Sequence, residues 1–466
     1  MSVQLVWFRN DLRLDDNPAL HHACNRKDDQ VIALYLLSEQ QWDNHGVGNN
    51  QRSLIIKALL QLKKSLKQLN IPLIVKSIGQ FDNSANALSE VCKSQGVDEI
   101  HFNIEYPINE RRRDKLVVEH LSQVKCHRYV GDSVTAPWQI TTQSNSAFKV
   151  FTPFSKACYT YLDSNPVHCY SIPDKRDAQN FNVINTGSDP IPDIKTSLNI
   201  PNIDENFLAN QLDGFLESKL EDYKDDRDYP YVPGTSKLSA ALAVGALSVR
   251  RCFEVASNSD KEYSKPWLNE LLWRDFYRSV MWHFPHVCQG KAFNSVDKYI
   301  NWNKDDAQLK RWQQGNTGIP IVDAAMRQLN ETGWMHNRLR MVVASFLTKN
   351  LWIDWREGEA YFTQMLFDYD FASNNGGWQW SASVGTDAAP YFRVFNPASQ
   401  QQKFDPKAEF IRKWVTELQG FETSDIHKFE KKALQNYEKP MVDLKFTRKL
   451  AIDSFKSAKS AANEPQ

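Results

Sequence analysis

This sequence of 466 residues has no excess of either charge: Lys plus Arg and Asp plus Glu each number 56, for a formal net charge of zero. Bulk charge therefore argues neither for nor against nucleic acid, and any basic surface has to be local. The seven cysteines (24, 92, 126, 158, 169, 252, 288) make no CxxC pair and have no histidine partners at metal spacing. That speaks against a disulfide framework or a zinc site and fits a reducing compartment. No apolar run is long enough to span a bilayer, and MSVQLVWFRNDLR places charged residues straight after a short apolar run, unlike a signal peptide. The expectation is a soluble cytoplasmic protein, long enough for two domains with separate cores. What the chain does have is aromatic side chains, 12% of residues with 14 Trp, in an otherwise ordinary 41% hydrophobic composition.

In the first 130 residues, apolar strand-like runs alternate with helical spacing. VQLVWF (3–8), 31–37, 71–78, 99–104 and 124–130 read as strands; 51–69, 84–95 and 109–121 read as helices, and Asn17–Pro18 as an N-cap and first helical position. Such alternation implies a doubly wound parallel sheet. No GxGxxG follows the first strand, so the dinucleotide fingerprint is missing, although the strand ends can still hold a ligand at a switch point. Residues 131–200 are polar and rich in Pro and Asn, interrupted by VFTPFSKACYTYL (150–162), and read as an interdomain linker with one docked segment. Beyond it the pattern is helical throughout, at 203–220, 237–257, 266–284, 305–315, 321–330, 334–350 and 357–366. The expected fold is thus an α/β doubly wound parallel-sheet N-terminal domain (1–130), a linker (131–200) and an all-α C-terminal domain (201–466).

Several stretches are dense in chemistry. FDYDFASNNGGWQWSASVGTDAAPYFRVFNP (367–397) carries Asp368, Asp370, Asn374, Asn375 and two tryptophans. Its diglycine and amide content read as a loop rather than a helix, and aromatic, amide-rich loops are where binding chemistry tends to sit. GTSKLS (234–239) reads as a helix opening whose hydroxyls and unpaired N–H groups suit a phosphate or, equally, an ordinary cap. On WLNELLWRDFYRSVMWHF, Glu270, Trp273, Tyr277 and Met281 share a face, with Trp267 and Arg274 at its edge. A carboxyl among indoles would have a raised pKa, while the plainer reading is a packing face with a Glu270–Arg274 bridge. On the 334–350 helix Asn337, Arg338 and Met341 lie together, and its two arginines call for partners, carboxylates such as Asp368 or phosphates. Asn109 and Glu110 are ligand candidates or helix caps, and the Arg111–Arg113 run reads as a solvated helix face.

Together LVWFRNDLRLDDNPAL, GTSKLS, WLNELLWRDFYR, GIPIVDAAMRQLNETGWMHNRLRM and the 367–397 stretch resemble the DNA photolyase/cryptochrome family, most of all its bacterial class I cyclobutane pyrimidine dimer enzymes, over residues 3–415. The resemblance implies an antenna domain and a helical domain binding FAD, active as FADH⁻, and light-driven electron transfer to a pyrimidine dimer flipped out of DNA. A damaged dinucleotide flips cheaply because its stacking is impaired, and photolyases are among the enzymes that flip their target out of the duplex. It assigns Tyr223, Thr235, Ser236, Lys237, Leu238, Ser239, Trp267, Asn337, Arg340, Asp368, Tyr369, Asp370 and Asn374 to the flavin, with Arg340 pairing Asp368. It assigns Arg227, Glu270, Trp273, Tyr277, Asn337, Arg338, Met341 and Trp380 to DNA and the lesion, with Trp273 and Trp380 sandwiching the dimer. Trp378, Trp355 and Trp302 match an electron-hopping chain, and Glu270 a hydrogen bond to the lesion. His45, Asn109 and Glu110 fit a 5,10-methenyltetrahydrofolate antenna. Gln289 replaces the basic residue that many folate-binding relatives carry after the cysteine at Cys288, so a deazaflavin or second flavin stays open. A signalling cryptochrome is the alternative, disfavoured by the short FKSAKSAANEPQ end. The expected partner is dimer-containing DNA, with no membrane, no obligate protein partner and a monomeric state.

Overall fold

The structure is a computed structural model and describes residues 2–177 and 188–463. It divides into two compact units, Met1–Glu221 with Ser236–Cys288, and Asp222–Thr235 with Gln289–Gln466. Residues 178–187, part of the expected linker, and the last three residues lie outside the described residues.

The first unit is built on a five-stranded parallel sheet, β1 (Val3–Phe8), β2 (Gln30–Leu37), β3 (Leu73–Ser77), β4 (Glu99–Asn103) and β5 (Lys125–Tyr129), in the order β3-β2-β1-β4-β5. β1 and β2 are apolar almost throughout because helices cover both sheet faces, so they lack the alternation of a half-exposed strand. Leu5, Trp7, Ile32, Leu34, Ile100 and Phe102 form the core. The order reverses between β1 and β4, which places a switch point at the carboxyl ends of those two strands. The Asn17 side chain accepts from Leu20 N at 3.2 Å and Pro18 opens the helix, as the Asn-Pro pair predicts.

The connector is tied into this unit. Asp132 takes charged hydrogen bonds from Arg274 (2.5 Å) and Arg278 (2.8 Å) of the Lys261–His283 helix, and Asp275 of that helix accepts from Thr135 N at 2.8 Å. The docked segment is a helix, Phe151–Ser164. Arg274 therefore pairs with Asp132 of the connector.

Two expectations are corrected here. The helix expected over 237–257 is two, Ser239–Ala243 and Val249–Ser257, broken at Gly245. Gly245 has φ +68, and a Cβ there would lie 2.1 Å from Asn10 O, so only glycine fits the turn. The arginine run is a solvated face only in part: Arg112 is exposed, but Arg113 is 5% exposed and binds Glu105 and Asp114, each at 2.7 Å. A like run of charges on sequence says nothing about acids brought in from Glu105 by the fold.

Glu99, His101 and His127 also gather on β4 and β5. The two imidazoles stack 4.7 Å apart at 13°, and both His101 nitrogens already bond, to Gln4 Oε1 (2.7 Å) and Tyr129 OH (2.9 Å). Parallel rings direct their in-plane lone pairs side by side rather than at one ion, so the cluster is a packing motif.

The second unit is helical, with Trp312, Met326, Leu339, Phe346, Trp355 and Trp378 in its core. The helix expected over 334–350 begins at Asn337, capped by the His336 ring, and loosens into a π-turn over Phe346–Asn350. The 367–397 stretch is only partly a loop. Phe371–Ser381 is a helix, capped by Asp370, whose Oδ1 accepts from Ser373 N (2.9 Å) and Ser373 Oγ (2.7 Å). Its low propensity is overridden by buried amide bonds: Asn375 donates to Glu359 Oε1 at 2.8 Å and Gln379 to Asn375 Oδ1 at 2.9 Å.

Candidate functional site

A cleft in the second unit, with about 590 Å³ of free space partly open to solvent, collects the densest group of expected residues. Asn337, Arg340 and Met341 reach it from one helix, Asp368 to Asn374 from the chain entering the next, and Phe362 and Trp378 form part of its apolar wall. Apolar walls with few convergent polar groups suit a planar heterocycle with polar edges.

Each polar group is fixed by its neighbours. Arg340 binds both oxygens of buried Asp368, at 3.0 and 2.8 Å, and its Nε donates to Met335 O at 2.8 Å. Both bonds to the carboxylate come from one guanidinium nitrogen, Nη2, and keep its charge paired. The Asn374 amide N–H₂ donates to Glu359 O (3.1 Å) and Thr363 Oγ1 (3.3 Å). Thr363 Oγ1 itself donates to Glu359 O at 2.8 Å, so both neighbours offer Asn374 an acceptor and its own carbonyl oxygen is left for a ligand. Asp370 spends one oxygen on helix capping. Behind Asn374, burial pushes the Glu359 carboxyl up to about 7 against the pull of the Asn375 bond and of Arg356. This buried acid can exchange a proton near neutrality.

Three tryptophans run through the same unit. Trp378 is 2% exposed and packs edge-on against Phe362 (5.0 Å) and Trp312 (6.0 Å). Gly358, one helical turn after Trp355, faces it so closely that a Cβ would lie 2.0 Å from the ring. Trp355 and Trp302 both donate their indole N–H to Asp297 Oδ1, each at 3.3 Å. Trp302 also lies 5.2 Å from Trp352.

The other expected residues are placed as follows. Arg338 pairs with Asp228 at 2.6 Å and lies over Phe404, so its charge is already partnered. Trp380 is half-buried, 6.3 Å from Phe395. Tyr223 is buried in a short helix with the Arg227 guanidinium 5.8 Å from its ring. Thr235 to Ser239 do not cap a helix: the following helix has five residues, Lys237 is left-handed at φ +53, and Leu238 stands at the cap position. In the first unit Trp267 is buried against Phe215, and Glu270 is half-buried. Trp273 is stacked face to face on Phe151 at 3.8 Å and 9°, and Tyr277 lies 5.6 Å from it. One face of Trp273 is thereby already occupied. Asn109 Nδ2 meets His45 Nε2 at 3.4 Å beside the switch point, and neither Asn109 nor Glu110 caps its helix through a side chain, which removes the capping reading. Burial and the Glu105 charge push Glu110 up to about 7.

Glu359, Thr363, Gly358 and Asp297 were missed by the sequence. They are ordinary residues in ordinary patterns, and only the folded contacts single them out.

The family model described as the FAD binding domain of DNA photolyase matches residues 267–457, and that described as DNA photolyase matches 4–172. The chain is 41% identical to the deoxyribodipyrimidine photo-lyase of Escherichia coli, over 98% of this chain and 99% of that protein. It is similar to a bacterial class III photolyase from Agrobacterium tumefaciens, TM-score 0.86 and 31% identity, over 99% of this chain and 98% of that one. An archaeal photolyase from Sulfolobus tokodaii, solved with two FAD molecules, matches at TM-score 0.82 and 30% identity, over 98% of this chain and 100% of that one.

Proposed function

The chain belongs to the DNA photolyase/cryptochrome family, and from that premise we propose how its side chains serve light-driven repair of pyrimidine dimers in DNA. The activity is that of a deoxyribodipyrimidine photo-lyase and the cofactor is FAD. The observation that carries the site assignment is the cleft, where a carboxylate locked by Arg340 and one free amide oxygen on Asn374 face an apolar cavity. That donor set fits the polar edge of a flavin. When bound and reduced, FAD supplies the photoexcited electron that opens the cyclobutane ring.

The rest falls to the protein. Asp368, Arg340 and Asn374 hold the polar edge of the cofactor, with Asn337, Tyr369 and Asp370 beside them. Tyr223, Trp267 and the backbone and hydroxyls of Thr235 to Ser239 serve its remaining parts by family resemblance, as a loop rather than a helix opening. Glu270 hydrogen-bonds the lesion and stabilises the charge it gains. By family resemblance Trp273, Tyr277, Met341 and Trp380 serve the flipped bases, the rings by stacking. Arg227 and Arg338 approach DNA phosphates, the latter after exchanging Asp228 for phosphate. Trp302, Trp355 and Trp378 return electrons to an oxidised cofactor.

His45, Asn109 and Glu110 hold the antenna, for which we propose methenyltetrahydrofolate. A Glu110 carboxyl titrating near neutrality suits a neutral, hydrogen-bonding ligand edge. The archaeal relative with two FAD molecules makes a second flavin the alternative outcome of pigment extraction. The division into antenna domain, linker and catalytic domain, the monomeric state and a cytoplasmic location are part of the same proposal. The test is to irradiate the protein with dimer-containing DNA and follow dimer loss in light and darkness. Glu270→Ala should lower repair yield while FAD stays bound; unchanged yield removes Glu270 from the mechanism. Dimer binding without light-dependent loss would turn the reading to a signalling flavoprotein.

A further inference from the structure

Among the described residues of the second unit, one carboxylate gathers two indole N–H groups. Asp297 Oδ1 receives the indole N–H of Trp302 and of Trp355, each at 3.3 Å, while Oδ2 receives Arg356 at 2.7 Å. Its side chain is 11% exposed, Trp355 is fully buried and Trp302 is half-buried. A structural carboxylate needs only one such partner. Here a single oxygen joins two oxidisable rings that are 53 residues apart in the chain, counting from Trp302 to Trp355.

Removing an electron from an indole leaves a radical cation whose N–H is a strong acid. A carboxylate already hydrogen-bonded to that N–H stabilises the cation and stands ready to receive the proton. We propose that Asp297 is the shared charge anchor and proton acceptor of these two indoles. When an electron leaves Trp302 or Trp355 for a one-electron oxidant, the N–H proton passes to Asp297 Oδ1, leaving a neutral indolyl radical and a carboxylic acid. Return of an electron to the indolyl brings the proton back from Asp297. Arg356, 2.7 Å from Oδ2, holds the carboxylate in register. The sharing also makes the two indoles exclusive: once Asp297 is protonated by one, the other loses its acceptor, so two oxidised indoles do not coexist. Asp297 is in this sense a positioning and proton-accepting residue, and the inference rests on the electron-chain reading of Trp302 and Trp355.

The test uses the full-length protein loaded with its flavin. Asp297→Asn keeps a hydrogen-bond acceptor of the same shape and removes the charge; Asp297→Glu keeps the charge. Tryptophan oxidation by photogenerated azide radical, followed by transient absorption, separates cation-radical from neutral-radical bands. In the parent protein the neutral band forms without dependence on buffer concentration; in Asp297→Asn its formation slows by about tenfold or more, one pKa unit of lost driving force, and becomes buffer-dependent, while Asp297→Glu restores it in part. Side-chain ¹⁵N–¹H spectra of tryptophan-labelled protein should show two indole signals moving together in Asp297→Asn. Equal rates in parent and Asn variant, with the fold intact by circular dichroism, overturn the proposal. Chemically reduced Asp297→Asn should repair dimers as the reduced parent does. Failure of the reduced parent to repair refutes the photolyase reading instead, and leaves the radical measurement to stand or fall alone.

Discussion

Gly358→Ala is the smallest change that reaches the heart of the second unit. In most helices this substitution stabilises by about 1 kcal/mol, because glycine has more backbone freedom to lose. At this position an added Cβ would sit 2.0, 2.3 and 2.6 Å from Cη2, Cζ3 and Cζ2 of Trp378. Carbon atoms settle near 3.5 Å or beyond, so the indole has to withdraw by about 1.5 Å. It has nowhere to go: Trp378 is 2% exposed and is edged by Phe362 at 5.0 Å and Trp312 at 6.0 Å. Overpacking of this kind costs about 1–3 kcal/mol, and a three-atom clash against a rigid ring belongs at the upper end. After the propensity gain, the expected net loss is about 1–2 kcal/mol. The displaced ring also deforms the cleft wall, so FAD occupancy measured by absorbance should fall with it. The assay is urea denaturation of Gly358→Ala, Trp378→Phe and the double variant. Phe occupies less of the contested space, so the double variant should recover at least about 1 kcal/mol relative to the sum of the singles. A Gly358→Ala protein of parental or greater stability, with full FAD occupancy, would refute the claim that Gly358 exists to admit Trp378.

Three other outcomes follow from single buried charges. Burial pushes Asp275 up to about 7, so the folded protein holds this proton across a range where the unfolded chain has released it; stability from this group is fully present below about pH 3.9 and lost as pH rises to about 7, on the order of 4 kcal/mol in all. Asp275→Asn should flatten that part of the stability-versus-pH curve, and an unchanged slope would contradict the assignment. Lys349 is 1% exposed and bonds Ala382 O and Ser383 Oγ, and burial holds its pKa well below the usual range; the unfolded chain then binds the proton more readily, so stability rises with pH until the unfolded lysine titrates. Lys349→Met should remove this rise in denaturation measured from neutral to alkaline pH. Arg340→Ala strands the buried Asp368 carboxylate and should cost about 3 kcal/mol, the low end for a broken buried pair because the arginine is one-quarter exposed; FAD occupancy should fall with it, and a stable, fully loaded variant would show the pair to be incidental.

The sheet was legible because its signal is local: β1 and β2 are short apolar runs bounded by polar turns, and Asn17–Pro18 states its own cap. The Arg340–Asp368 pair was legible for a different reason, since an arginine on a largely apolar helix has to find an acid. The Phe371–Ser381 helix was not legible. Gly376 and Gly377 argue against it locally, and what holds it is Glu359 receiving Asn375 across 16 residues of chain. Arg113 failed because the fold brings Glu105, from the loop before its helix, to join its chain neighbour Asp114 around the guanidinium. At the site, the residue types were readable from a family pattern, but the orientation of Asn374 depends on Thr363 and Glu359, and Asp297 gathers partners from two distant segments. Long-range polar contacts leave no periodicity, so single-sequence reading cannot see them.

The strap of Asp132 and Thr135 on the Lys261–His283 helix bears on how such chains can be recombined. The family-model matches end at 172 and resume at 267, which invites a crossover between relatives somewhere in that interval. Yet Asp132 lies before it and its two arginines, 274 and 278, lie after it, as does Asp275, the acceptor for Thr135. A hybrid joined there inherits one half of the strap from each parent, and any mismatch leaves a carboxylate or two guanidiniums buried without partners. Crossovers placed after Cys288, where the first unit ends, keep the strap within one parent. The seam along which this lineage can exchange parts therefore lies beyond the Lys261–His283 helix, well past the linker.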